Sequence, residues 1–279
     1  MMNEKKLKRK AKRCTAFCIK LLLGLLFISP LIICFLFSLQ PNEEVGAAPL
    51  HLFTSNPTLD NYLYVLKNVP VLRYLFNTLC MCVVCILSQI LLASLAAYGF
   101  VFFKFPGKNL LFTLILTSMM IPGDVVILTN YTTVQGMGLV DTLAGLVITS
   151  LTTGTSIFMV RQYYMTLPND LKEAATLDGC SDMGFLLRIA MPLSIPTCAA
   201  LGIYSFIHVY NAYFWPLLVT TTSEMRTVQI GMADLITGDS INYGNVLAGA
   251  VLCMVPTVIA FIFGQDHIVK GMTAGAVKG

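Results

Sequence analysis

Charged side chains are scarce in this chain. Asp, Glu, Lys and Arg together make up 11% of its 279 residues, where a soluble domain carries about 25%. Apolar residues take 56%, and the mean hydropathy is +0.77. So little charge cannot clothe an aqueous surface, which points to lipid as the solvent. A second shortage lies within the apolar stretches, which hold almost no Asp, Glu or His. Carriers driven by ion gradients keep such groups in the membrane to bind the coupling ion. Here His208 is the one clear candidate, and a lone histidine in an apolar helix reads first as a packed, hydrogen-bonded residue. A third absence is the phosphate-cradling loop of an ATP-hydrolysing domain, Gly-x-x-x-x-Gly-Lys-Ser/Thr. The nearest approach, Gly107-Lys108, is followed by Asn109 and has no glycine five residues before Gly107. The chain is therefore not expected to be a motor or an enzyme, and it is expected to hold no cofactor. It also lacks a Cys/His metal spacing, a nucleophile–base–acid set and a nucleic-acid-binding stripe.

The nine cysteines, Cys14, Cys18, Cys34, Cys80, Cys82, Cys85, Cys180, Cys198 and Cys253, are not expected to form a disulfide framework. Cys82-x-x-Cys85 has the look of half a metal or redox motif. With no histidine or second pair near it, packing is the expected role.

Apolar stretches long enough to span a bilayer cover about 17–39, 74–100, 109–128, 139–160, 195–220 and 244–263. Runs of this length without strict alternation exclude a β-barrel, so the expected fold is all-α with six transmembrane helices. Pro122, Gly123 and Asp124 interrupt the third and fourth spans and leave them the least regular. Basic residues fix the expected orientation. Lys5, Lys6, Lys8, Arg9, Lys10, Lys12 and Arg13 precede the first span. Lys104, Lys108, Arg161, Lys172, Arg188, Lys270 and Lys278 fall on the same side of the membrane. Lys67, Arg73 and Arg226 stand opposite, among Glu43, Glu44, Asp60, Asp124, Asp141, Glu224, Asp234 and Asp239. The positive-inside rule then places both termini in the cytoplasm. The first span is read as retained rather than as a cleaved signal, with Gly46-Ala47-Ala48 the only faint cleavage candidate. The expected divisions are a basic N-terminus over 1–16, a transmembrane domain over 17–265 and a cytoplasmic tail over 266–279.

The fourth connection, 167–196, carries the densest local signal. Pro168 suits a first helical position, and Asn169, Asp170 and Glu173 put negative charge where the helix dipole favours it. Leu171, Ala174, Ala175 and Asp178 are expected along one face. Gly179 can end the helix in a left-handed conformation. Ser181 can cap a second short helix that runs to Met191 and is stopped by Pro192. On these grounds alone the loop is either a docking element or an amphipathic connector.

The pattern Glu173-Ala174-Ala175, then Gly179, Ile189 and Pro192, resembles the EAA loop of binding-protein-dependent ABC importer permeases. Cys180 stands where alanine is common in that family. Further stretches resemble the carbohydrate-uptake branch: Phe206 to Leu217 with Tyr210, Asn211, Tyr213, Trp215 and Pro216; Arg226 to Gly231; Gly138 to Thr142; and Ala97 to Gly107. The ending Gly264–Gly279 looks like that of the second, maltose-type permease. Together these cover essentially Asn56 to Gly279.

The resemblance implies an assembly with a homologous second permease, two ATPase subunits that hold ATP and magnesium, and an extracellular solute-binding protein. All of this would sit in a bacterial cell membrane. It implies that Glu173, Ala174, Ala175, Asp178, Gly179, Ile189 and Pro192 form the coupling loop that docks on the ATPase. Tyr210, Asn211, Tyr213 and Trp215 are candidates for the translocation path, though such residues also sit at membrane interfaces. The loop 221–243 is expected either to reach the binding protein or to be an ordinary connection, and the tail 271–279 either to slip between the ATPase subunits or to be disordered. The cargo is expected to be a sugar or oligosaccharide, with a glycerol-phosphate compound as the alternative. An ion-coupled secondary carrier and a membrane scaffold remain as different classes.

Overall fold

The computed structural model describes residues 2–46, 51–236 and 242–274, and among them every regular element is helical. The helices are α1 Met2–Ser38, α2 Asp60–Asn68, α3 Val71–Phe102, α4 Lys108–Ser118, α5 Gly123–Gly136, α6 Leu143–Val147, α7 Gly154–Tyr164, α8 Asn169–Leu177, α9 Asp182–Phe185, α10 Met191–Leu193, α11 Ile195–Tyr210, α12 Phe214–Val219, α13 Val228–Ile236 and α14 Tyr243–Ala274.

Three helical stretches are long and apolar enough to cross a membrane unbroken: Arg13–Ser38, Val71–Phe102 and Tyr243–Gly264. Three further pairs qualify only as bent spans: α4 with α5 at 98°, Leu143–Ser150 with α7 at 50°, and Asp182–Leu193 with α11 at 73°. The expected spans 109–128, 139–160 and 195–220 are each broken, the first of them at the interruption Pro122–Asp124 read from the sequence, and prolines and caps explain where. Pro122 is extended, with φ −60° and ψ 131°, and opens α5. It lacks an N–H, and it disfavours helical geometry at Ile121 before it. Thr153 caps α7 with a reciprocal capping box to Ser156, which ends the preceding turn. The expected span 195–220 stops at Tyr210 and restarts at Phe214. A helix continued through Pro216 would lose a backbone bond and clash with the carbonyl of Ala212, whereas a restart puts Pro216 in a first turn.

The chain forms two compact units. The first comprises Met1–Val69 and Asp234–Met254. In it, buried Asn61 donates to the carbonyls of Ser38 at 2.9 Å and Gln40 at 2.7 Å, closing the turn between α1 and α2. The Ser38 and Tyr62 hydroxyls share a 2.6 Å bond. Most apolar side chains along α1 are exposed, Phe17, Leu22, Leu26 and Phe27 among them, as suits a helix solvated by lipid.

The second unit comprises Pro70–Ala233 and Val255–Gly279, and α3 is its axis. Ala93 and Ala97 have no exposed surface and join Tyr98, Val160, Tyr164, Leu201, Ala175, Phe185, Leu186 and Ala190 in one core. Small side chains four residues apart let neighbouring helices approach closely, which is how apolar helices associate in lipid. Cys82 and Cys85 are buried in the same helix. Of the expected tail, 275–279 lie outside the described residues, and α14 continues to Ala274. Of the loop 221–243, 237–241 lie outside them, and α13 occupies part of the rest.

Candidate functional site on one long helix

Segment 167–196 packs on the end of α3. Pro168 caps α8 from just outside it, with φ −60° and ψ 137°, one position earlier than expected. Gly179 adopts φ +78°, a conformation an L side chain resists, and so turns the chain after α8. Ser181 Oγ accepts from the Gly184 backbone N–H at 3.1 Å and starts α9 as expected.

Leu171, Ala174, Ala175 and Asp178 lie along one stripe of α8, as their spacing expects, but the stripe is not uniformly buried: Ala175 is buried (7% exposed) with Leu171 packed beside it, while Ala174 and Asp178 are exposed. Glu173 and Leu177 are outward as well, Leu177 at 89% exposure. One expectation needs correction: the second short helix does not stop at Met191. A π-helical turn over Leu186–Ala190 carries it through exposed Pro192 to Leu193, and the bend falls at Ser194. In that turn Met191 N–H reaches back to Leu186 O. The wider register accommodates a proline that has no N–H and would crowd the carbonyl four residues earlier. Ile189 is partly buried against the core.

A polar cluster joins the two short helices to α3. The Lys172 ammonium pairs with Asp182 and donates to Tyr98 Oη at 2.6 Å, and that hydroxyl donates to Asp182 at 2.9 Å. The ammonium also lies 4.8 Å from the Phe185 ring centroid and 5.3 Å from that of Tyr98, within cation–π range. Partial burial works against the charged lysine. The bonds from Asp182 and Tyr98 outweigh it and hold the group above the usual lysine range.

Midway along α3 a cavity of about 750 Å³ opens. Gln89, 3% exposed, spans its wall by donating to Ser150 O at 2.7 Å and accepting from Ser205 Oγ at 2.5 Å. Asn130, Ser118, Thr149, Thr153 and Thr155 add hydroxyl and amide groups, and Tyr204, Tyr213, Phe214 and Trp215 add aromatic surface. Trp215 is anchored by its Nε1–H, which donates to the carbonyls of Gly145 and Leu146 at 3.2 Å. Of the four sequence candidates for a path, only Tyr213 and Trp215 line this cavity. Tyr210 is buried and stacks on Phe206 at 5.3 Å. Asn211 turns back to donate to Ile207 O at 2.8 Å and accepts from Gln229. His208 is exposed to the cavity and stacks on Tyr204 at 6.3 Å, rather than being packed in a core. Gln89 and Ser205 escaped the sequence reading. Their one signal is a polar residue inside an otherwise apolar run.

The opposite end of α3 holds the start of the 221–236 segment. Asn77 Nδ2 donates to the carbonyls of Glu224 at 2.7 Å and Arg226 at 3.0 Å, and Arg73 Nε donates to Glu224 O at 3.2 Å. Val228 N–H donates to Thr78 Oγ1 at 3.0 Å. A Cβ on Gly231 would meet the Tyr74 ring at 2.3 Å, so only glycine fits there. Asp141, at φ +57°, accepts from the backbone N–H of Thr221 at 2.7 Å and of Thr222 at 3.0 Å and pairs with both threonine hydroxyls.

Comparison with known proteins gives these regions a context. The chain is 31% identical over 262 residues, 93% of each chain, to the arabinooligosaccharides transport system permease protein AraQ of Bacillus subtilis (strain 168). It is 32% identical over 262 residues, 90% of this chain and 93% of the relative, to the sn-glycerol-3-phosphate transport system permease protein UgpE of Rhizobium meliloti (strain 1021). Its fold matches a chain of a bacterial ABC transporter involved in the import of the acidic polysaccharide alginate, with a TM-score of 0.79 at 20% identity over 92% of this chain and 97% of the other. Residues 89–274 match the model of the binding-protein-dependent transport system inner membrane component, and the chain belongs to that family.

Proposed function

We propose that this chain is the membrane-spanning subunit of an ATP-driven importer that moves an uncharged sugar or oligosaccharide handed over by an extracellular solute-binding protein. A homologous second permease completes the pathway, and two ATPase subunits, which bind ATP and magnesium, drive it. The chain lies in a bacterial cell membrane with both termini in the cytoplasm. This orientation rests on the distribution of Lys and Arg described above. The loop 167–196 then faces the ATPases.

The observation that carries the reading is the two-faced character of α8. Lys172 and Ala175 point into the protein, while Glu173, Ala174 and Leu177 stand free. A leucine 89% exposed beside a small residue and a carboxylate supports the reading of this face as one that docks on protein. A photo-crosslinking residue at Ala174 or Leu177 is expected to capture the ATPase subunit, and the same residue at Ala175 is not. Equal capture from all three positions, or none, would overturn the assignment.

The cavity favours sugar over glycerol phosphate. Among the described residues its lining includes Asp124 and His208 but no lysine or arginine. A phosphate ester leaving water needs a cation or several charge-assisted donors to offset its desolvation, and a nearby carboxylate opposes it. Hydroxyls, amides and aromatic faces suit a neutral polyol. We assign Tyr213, Trp215, Gln89 and Ser205 to the path, and Tyr210 and Asn211 to its support. Vesicles holding the complete transporter are expected to accumulate a labelled neutral oligosaccharide and to leave glycerol 3-phosphate outside; the reverse would remove the sugar reading.

A further inference from the structure

We infer that Lys172, held by Asp182 and Tyr98, is a positioning residue that converts movement of the docking loop into movement of α3; this rests on the proposed role of that loop. The segment needs such a device. The joint between α8 and α9 is the turn Asp178–Ser181, with Gly179 in a left-handed conformation, and a glycine joint alone allows the two short helices to swing. Three connections remove that freedom. Lys172 on α8 pairs with Asp182 at the first position of α9, closing the joint across ten residues. Tyr98 hydrogen-bonds to both partners, at 2.6 Å to the lysine and 2.9 Å to the aspartate. The Tyr98 ring is itself fixed by Phe102 at 5.0 Å, Phe103 at 5.6 Å and Phe185 at 6.2 Å.

Helix geometry makes Lys172 decisive. With about 100° between successive residues, turning Lys172 inward turns its neighbour Glu173 outward, so the clasp sets the face that α8 presents. Tyr98 lies on the same helix as Gln89 in the cavity wall. A push on the outward face of α8 therefore reaches α3 through one hydroxyl, one ion pair and a ring cluster. Lys172 and Asp182 are partly open to water, with side-chain exposures of 21% and 55%. An isolated exposed pair contributes little stability. What this one supplies is direction, and its loss is expected to appear as slippage between ATP hydrolysis and transport while the fold survives.

The test uses the complete transporter in proteoliposomes, with ATP hydrolysis and cargo uptake measured on the same preparation. Accumulation by the wild-type complex tests the importer reading itself. Given that, Lys172→Met is expected to raise the ATP hydrolysed per cargo imported by about threefold or more, within the range of residues that modulate coupling. The charge-swapped pair Lys172→Asp with Asp182→Lys is expected to recover most of the loss. Tyr98→Phe removes one hydroxyl and keeps the ring packing, so it carries the same test where Lys172→Met does not assemble; it is expected to raise the ratio about twofold. A wild-type ratio in assembled Lys172→Met or Tyr98→Phe complexes would overturn the inference. So would a raised ratio that the charge swap leaves unchanged.

Discussion

The two ends of α3 are fastened by different chemistry. Near Phe102, the 167–196 segment is held by an ion pair, a phenol and two aromatic faces, with the charges partly open to water. Near Val71, the 221–236 segment is held mainly by the side chains of Asn77 and Thr78, both buried. Hydrogen bonds from a buried amide are strongly oriented, because the amide, left without its acceptors, would cost about 1–3 kcal/mol. A partly exposed ion pair is weaker and is screened by salt. One end is thus a fixed mount and the other a fastening that can yield and re-form. That asymmetry suits the proposed role, in which the end beside 167–196 receives a stroke and the far end holds a loop in place.

Several substitutions would break or sharpen that contrast. The largest effect is expected from Gly179→Val, which forces a β-branched residue into the left-handed region at a cost of about 1–3 kcal/mol and redirects the joint between α8 and α9. Uptake in vesicles should fall at least about tenfold while ATP hydrolysis persists. Asn77→Ala comes next. It removes one donor from each of the Glu224 and Arg226 carbonyls, Glu224 keeping Arg73, and should destabilise the complex by about 1 kcal/mol, read as a lower thermal midpoint. It should leave the hydrolysis-to-uptake ratio of surviving complexes unchanged, the opposite signature to Lys172→Met. Trp215→Phe keeps an aromatic face in the cavity but loses the donor to Gly145 and Leu146. About 1 kcal/mol of stability should go, with a modest fall in uptake. The smallest effect is that of salt. Raising it from about 0.1 M to about 1 M shortens the screening length from about 10 Å to about 3 Å. The ratio of ATP to cargo should drift upward in the wild type and stay flat in Lys172→Met.

What the sequence revealed follows the same division. Gly179, Ser181 and Pro168 act on backbone within a few residues of themselves, so the outline of the 167–196 segment is legible in their spacing. Lys172 and Asp182 lie across a turn from each other, and Tyr98 lies 74 residues upstream of Lys172; nothing local announces that they meet. The stripe Leu171, Ala174, Ala175 and Asp178 is legible from its spacing, but it straddles the boundary between core and surface, and the inward turn of Lys172 fixes where that boundary falls. The cavity was the least legible feature. Pro122 and Pro216 mark where helices must break, but the 98° turn between α4 and α5 depends on packing that no window of sequence contains. Gln89 and Ser205 gain their meaning from that turn. Tyr210 and Asn211 sit beside the break and not on the cavity: Tyr210 is buried, and Asn211, just past the end of α11, turns its amide back to Ile207 O.

The most direct measurement is uptake by proteoliposomes containing the complete transporter, with the solute-binding protein and labelled neutral sugar outside and the ATP sites facing the lumen. Enclosed ATP and magnesium should drive accumulation of the sugar without any ion gradient, and Gly179→Val should abolish that accumulation while hydrolysis continues. Accumulation driven by a proton or sodium gradient in the absence of ATP would contradict the account.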